Sequence, residues 1–307
     1  MIYYKAFQWL FFFYFYCFCG WCFESVYVSL KSRKWVNRGF MRGPFLPLYG
    51  SGAIMMLIVS MPFRDNVILT YLAGVAGATA LEYITGVTME ALFKVRYWDY
   101  SKQRFNFQGH ICLRSSVAWG FLTILMTKVV HRLIEQFVLS IPGSILAPVT
   151  MVLTFYIVVD FTLSFKAAME LRDLLDKMQK LKEEVERLQK RLDVLVAFSN
   201  AEKEQRRQES ELSLAELSRG VKQRFASLKE NIQSMPSAYG EGIREEIAEL
   251  RGRFSHYIEA QRGYREMLGF YKRDMIRNNP TMVSSRFRNV LEELKRVVSG
   301  EQHEEDD

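Results

Sequence analysis

Apolar positions fill long unbroken blocks in the first half of the chain and narrow periodic seams in the second. Five stretches, roughly 7–30, 45–62, 67–93, 116–139 and 143–165, are long enough to cross the ~30 Å hydrocarbon core of a bilayer as helices. The first is too long and too aromatic for a signal peptide. It has only Lys5 before it and no small-residue cleavage site, and reads as a retained span.

Beyond Lys166 the period becomes heptad. Leu171, Met178, Val185 and Leu192 form one seam position, and Leu174, Leu181, Leu188 and Leu195 the other. Four unbroken heptads with Leu throughout the second position predict a parallel dimeric coiled coil. The period weakens over 199–211 and resumes with Leu214, Leu217, Val221, Leu228 and Met235, with Phe225 and Ile232 widening the face. Pro236 with Gly240 and Gly242 breaks the pattern, and Asn278-Asn279-Pro280 breaks it again. Between the breaks Ile247, Leu250, Phe254, Tyr257, Tyr264, Leu268 and Tyr271 share one face. A last helix is expected at Phe287–Val297, before the acidic tail EQHEEDD. These later helices can extend the stalk or fold back on it, and the pattern leaves both open. The expected fold is all-α: a five-helix transmembrane bundle in 1–165, a coiled coil in 166–235, and a helical C-terminal region in 236–307.

Charge orients the bundle. Segment 31–44 holds Lys31, Arg33, Lys34, Arg38 and Arg42 without an acid, and 94–115 holds five basic residues against Asp99. The turns at 63–66 and 140–143 carry no basic excess. Basic loops stay cytoplasmic, which predicts a multi-pass plasma-membrane protein with its N-terminus outside and its C-terminus inside. The net charge of +7 is explained by this asymmetry and by anionic lipid headgroups, so nucleic acid is not an expected partner.

Candidate chemistry is sparse. Cys17, Cys19 and Cys22 lie inside the first span, where a thiol is a small hydrophobe, and no second ligand cluster accompanies them. No metal, cofactor or catalytic residue is expected, since GxxxxGK[ST], HExxH and GxSxG are all absent.

The acids inside the spans are the exception. Intramembrane carboxylates normally face protein or water. Thr79, Glu82, Gly86 and Glu90 step by three or four and share a stripe, and Gly74, Gly77 and Gly86 permit close helix approach. Counting back from the basic loops puts Glu24, Glu90 and Asp160 roughly 6–10 Å inside the boundary. Glu82 falls deeper, with Lys128 as its expected partner. Two uses remain open. The acids can pair with Arg38, Arg42, Arg96 or Arg114 and pin the loops, or they can line a polar path for a cation, a proton or a headgroup.

Both loops carry unusual chemistry. NRGFMRGPFLPLYGSG (37–52) mixes two prolines and four glycines into an apolar segment. It predicts either a short re-entrant element with Asn37, Arg38 and Arg42 at its mouth and Tyr49 beyond, or a proline-started second helix after a loop. In 95–116, Tyr97, Trp98 and Tyr100 suit an interfacial belt. Trp98-Asp99-Tyr100-Ser101 with Asn106 and His110 can instead form a polar lid.

GFMRGPFLPLYGSGA, LEYITGVTMEALF and YWDYSKQRFNFQGHICLRSSVAWG, in that order, resemble the bacterial CmpB family of ABC-transporter type IV membrane proteins, over roughly residues 8–165. Relatives carry Arg where this chain has His110, Trp at Tyr97 and Cys at Leu46. The resemblance implies a multi-pass permease, whose energy would come from a separate ATPase chain. Glu24, Glu82, Glu90, Lys128 and Asp160 would then form its polar path. Asn37, Arg38, Arg42, Tyr49, Trp98, Asp99, Tyr100, Asn106, His110 and Arg114 would form a cytoplasmic gate. The competing expectation is a membrane-anchored homodimeric scaffold or sensor that recruits partners through the coiled coil. A lipid-acting enzyme using Asp99, His110 and the arginines is the third.

Overall fold

The computed structural model describes residues 4–198, 214–232 and 237–299. Leu195, Leu214, Leu228, Ile232, Met235, Tyr264 and the acidic tail lie outside the residues whose side chains are described.

The described chain is all-α apart from one two-residue hairpin. Its helices are α1 (Ala6–Ser32), α2 (Pro47–Ser60), α3 (Val67–Phe93), α4 (Leu113–Leu125), α5 (His131–Ser140), α6 (Gly143–Phe198), α7 (Leu214–Ile232), α8 (Ser237–Glu266), α9 (Phe270–Asn278) and α10 (Arg288–Ser299). A 3₁₀ turn, Met61–Phe63, extends α2, and a π-turn, Met126–Val130, joins α4 to α5. Four helical stretches are long and apolar enough to cross a membrane: Ala6–Ser32, Val67–Phe93, Leu113–Ser140 and the one beginning at Gly143. The remaining expected span, near 45–62, is the shorter apolar helix Pro47–Phe63.

Local sequence sets the ends. α2 starts with Pro47 at its first turn, where the missing N–H would have had no helical partner. This matches the proline-started alternative for 37–52. The Asn66 side chain caps α3 by accepting from the amides of Ile68 and Leu69, at 3.0 and 3.1 Å. α1 and α3 both end on a left-handed residue, Arg33 and Lys94, before the two basic loops.

Contacts divide the chain into two units. One is Met1–Met169 with Asp274–Val283, and the other is Glu170–Arg273 with Ser284–Asp307. In the first unit α1, α2, α3, α5 and α6 meet around Phe12, Tyr16, Ala53, Met56, Leu57, Ala78, Met126, Val138 and Leu146. Glycines bring backbones together there. Gly50 of α2 lies against the Cys17 sulfur and the Phe13 carbonyl of α1, and Gly74 of α3 lies against Thr123 of α4.

Neither basic loop stands clear of this bundle. The amide of Leu46 bonds the Cys17 carbonyl at 3.0 Å. Cys17 is fifteen residues before the end of α1 at Ser32, about 22 Å along the axis. Met41 and Phe45 are buried with Tyr14, Cys17 and Ile157. Loop 94–112 likewise lies beside the last turns of α3, where Gly86 leaves room for His110 and Trp98. Its hairpin pairs Asn106 with Cys112 and Phe107 with Ile111. Irregular backbone survives at such depth only where protein satisfies its polar groups.

In the second unit the heptad residues from Leu181 to Leu192 are covered by their own chain. Leu181, Val185, Leu188 and Leu192 of α6 pack with Leu217 and Val221 of α7 and Leu250 and Phe254 of α8. Arg224–Asp193 (2.6 Å), Arg286–Asp176 (2.8 Å) and Lys272–Glu170 (3.0 Å) tie later helices to α6. The later helices therefore fold back on α6 within this unit, one of the two arrangements open from the pattern.

Candidate functional site

The expected acids and loop residues gather where loops 33–46 and 94–112 meet the helices. Glu24 on α1 accepts a 2.6 Å hydrogen bond from the Tyr49 hydroxyl and lies 3.9 Å from the Arg38 guanidinium. Arg38 also donates to the Tyr97 carbonyl at 3.1 Å, so one side chain joins α1 to both loops. Burial pushes the Arg38 guanidinium below its ordinary pKa, against the pull of Glu24. Asp160 on α6 takes the backbone amide of Gly43 at 2.8 Å rather than an arginine. Asn37 bonds the Arg42 carbonyl at 2.7 Å, folding the loop on itself, and Arg42 pairs with Asp274 at 3.5 Å.

Glu90 near the end of α3 is held by the Arg96 guanidinium at 2.8 Å and the His110 imidazole at 3.1 Å. Bonding to Glu90 raises the Arg96 pKa. Burial lowers the His110 pKa, as does the neighbouring Arg96, and together they outweigh Glu90 and Asp99. Burial pushes the Asp99 carboxyl up, but the Ser101 hydroxyl and amide and the Arg96 guanidinium bring it below its usual value. Asn106 closes the same loop by donating to the Gln103 carbonyl at 2.7 Å. Gly109 at φ +74° fits beside Arg96, Ser101 and Asp99, where a side chain would collide.

Glu82 has a different environment. It is 6% exposed, and its carboxylate accepts from Tyr100 (3.0 Å), Trp119 (2.9 Å) and Ser115 (3.2 Å). All three donors are neutral. Burial next to this carboxylate raises the Tyr100 phenol pKa. One turn away, the Thr79 hydroxyl is buried without a hydrogen-bond partner among the described residues.

The expected Glu82–Lys128 pair does not form. The Lys128 ammonium bonds the Arg64 carbonyl instead, at the end where α3 begins. Glu82 is fifteen residues farther along α3 than Val67, about 22 Å away along the axis. The expectation placed Glu82 by counting from loop 94–112 as though that loop lay outside the bundle. Because the loop folds inward, α4 begins level with Glu82, and Lys128 lies near the opposite end. Arg114 is exposed, and no hydrogen bond or ion pair reaches it among the described residues.

The aromatics of loop 94–112 divide between inward-bonded and exposed positions. Tyr97 is buried, and the Trp98 indole donates to the His110 carbonyl at 3.0 Å. Trp35, Phe105 and Phe107 are the exposed aromatics of the two loops. Sequence reasoning missed Ser115 and Trp119 as partners of Glu82, although their i, i+4 spacing places them on one face of α4. It also read Asn278-Asn279-Pro280 only as a helix break.

Membrane-length apolar helices whose acids are satisfied inside the chain define a multi-pass membrane protein. Residues 11–165, about half of the chain, match the family described as "putative ABC-transporter type IV", and the chain belongs to that family. No curated protein and no solved structure matches it.

Proposed function

We propose that the chain is the membrane-spanning subunit of a transporter, with Glu82 as its proton- or cation-handling group and loops 33–46 and 94–112 as the gate beside it. The observation that carries this reading is a buried carboxylate held by three neutral donors and, among the described residues, by no cation, next to a Thr79 hydroxyl that has no partner among them. Such a group changes its protonation or takes a cation without first breaking an ion pair. Glu24, Glu90 and Asp160 hold the loops in place and flank the path. The chain lacks a P-loop, so a separate ATPase subunit supplies the energy.

In this reading Pro47–Phe63 is the fifth crossing, since it runs from loop 33–46 to the turn before α3. The basic loops are cytoplasmic, the N-terminus is outside and the C-terminus inside. Residues 1–165 form the transmembrane domain, 166–235 the heptad arm and 236–307 the helical C-terminal region, in a bacterial plasma membrane. Self-association as a homodimer runs through the heptad arm. Since its core-facing leucines already pack within the chain, the dimer uses other faces of α6 or exchanges helices between copies.

The test replaces the native chain by Glu82→Gln. The variant inserts to wild-type levels and still recovers an ATPase subunit when cross-linked in its own membrane, but loses uptake. Full uptake would remove Glu82 from the path, and failure of the wild-type chain to recover any ATPase would remove the permease itself.

The scaffold reading is favoured by one observation, that Glu24, Glu90 and Asp160 are all engaged in holding loops. It predicts that removing 170–307 abolishes function while Glu82→Gln leaves it intact.

A further inference from the structure

Ten residues from the far end of the sequence, Asp274–Val283, belong to the membrane-helix unit, although Arg273 before them and Ser284 after them belong to the other. Their contacts fall on both basic loops. On loop 33–46, the Asn279 side-chain amide donates to the Gly39 carbonyl at 3.0 Å, and Asp274 pairs with Arg42. On loop 94–112, the Thr281 hydroxyl donates to the Tyr97 carbonyl at 3.2 Å. Val283 and Arg96 exchange both backbone hydrogen bonds, at 2.9 and 2.7 Å. Arg38 is the common node, giving one N–H to the Asn279 side-chain carbonyl at 2.8 Å and another to the Thr281 hydroxyl at 3.0 Å. Asn279 and Met282 are essentially fully buried, so the segment is seated and not merely adjacent.

These bonds satisfy groups that would otherwise be stranded. The Gly39 carbonyl, the Arg96 amide and part of the Arg38 guanidinium find their partners in this segment, and a buried polar group without a partner is costly. The sequence suits the task. Pro280 follows Asn279 and stops α9, which frees Thr281–Val283 to extend and pair with Arg96.

We infer that Asp274–Val283 is an intramolecular strap that locks loop 33–46 to loop 94–112, so that both loops are released together when the strap leaves. Because the strap is covalently continuous with the second unit at both ends, events in that unit reach the loops through it.

Hydrogen exchange on the full chain in lipid nanodiscs tests it, comparing wild type with Asn279→Ala. The variant loses the bonds to Gly39 and Arg38, and exchange rises about tenfold in 37–46 and 94–112 together, with α1 and α3 unchanged; a tenfold rise is what loss of one net hydrogen bond produces. Thr281→Val, a smaller change, gives the same paired pattern at lower amplitude and serves if Asn279→Ala perturbs the helices. Asn106→Ala, inside loop 94–112 but bonded only within it, raises exchange in that loop alone. Exchange unchanged in both loops, or raised in only one of them for both strap variants, would overturn the strap.

Discussion

Two carboxylates eight residues apart on α3 sit in opposite kinds of neighbourhood. Around Glu90 the partners are charged or chargeable, Arg96 and His110, and all come from the loop that the acid anchors. Around Glu82 they are a phenol, an indole and a hydroxyl, two of them from α4. An ion pair fixes a charge and resists its loss. Neutral donors hold a carboxylate in place yet leave its charge negotiable. One helix thus carries an anchor near its end and an uncommitted acid about 12 Å away.

The largest effect expected on this contrast is from Glu82→Ala. It takes the carboxylate acceptor from Tyr100 and Trp119, while Ser115 keeps the Cys112 carbonyl at 2.9 Å, and lowers unfolding stability by about 3 kcal/mol in detergent titrations. A loss below about 1 kcal/mol would mean that water reaches the donors freely. Next comes Glu90→Gln, which removes the nearer of the two carboxylates beside Arg96, leaving Asp99 at 3.7 Å, and costs about 1–2 kcal/mol by the same titration. Glu82→Gln keeps an oxygen for Trp119 and Ser115 and turns an amide N–H towards the Tyr100 hydroxyl, which can accept it, and costs less than ~1 kcal/mol. If the two glutamine variants lose equal stability, the distinction between anchor and uncommitted acid fails.

The smallest effect is a pH dependence from His110. Its folded pKa lies below the ordinary 6.5, so the unfolded chain takes up the proton first as pH falls. His110 therefore subtracts stability as pH drops from about 6.5 towards its lower folded pKa, and its contribution is flat above and below that window. Melting temperatures followed across that range should slope in wild type and slope less in His110→Gln. An equal slope in both would assign the dependence to other groups.

Much of this was legible in the sequence, with a consistent boundary to what was not. The long apolar helices follow from hydropathy because composition alone decides them, whereas loop pairing of Glu24 and Glu90 was only one of two uses the sequence left open, because opposite charges close in sequence and depth suit a polar path as well. The heptads told which residues of α6 are buried but not by what, since a seam of leucines packs equally well on a second copy or on α7 and α8. Glu82 was assigned to Lys128 because depth was counted from a loop taken to lie outside the bundle. No local pattern states that a loop of nineteen residues (94–112) folds inward. The strap left even less trace, as its hydrogen bonds join residues some 180 to 240 positions apart.

The packing of Gly50 on Cys17 has a practical corollary. Cys17 is sealed between α1 and α2, while Cys19, two residues on, is exposed. A membrane-permeant thiol reagent should therefore label Cys19 and spare Cys17 for as long as the two helices stay in contact. The chain carries its own chemical gauge of that helix pair, readable by mass spectrometry without any engineered cysteine.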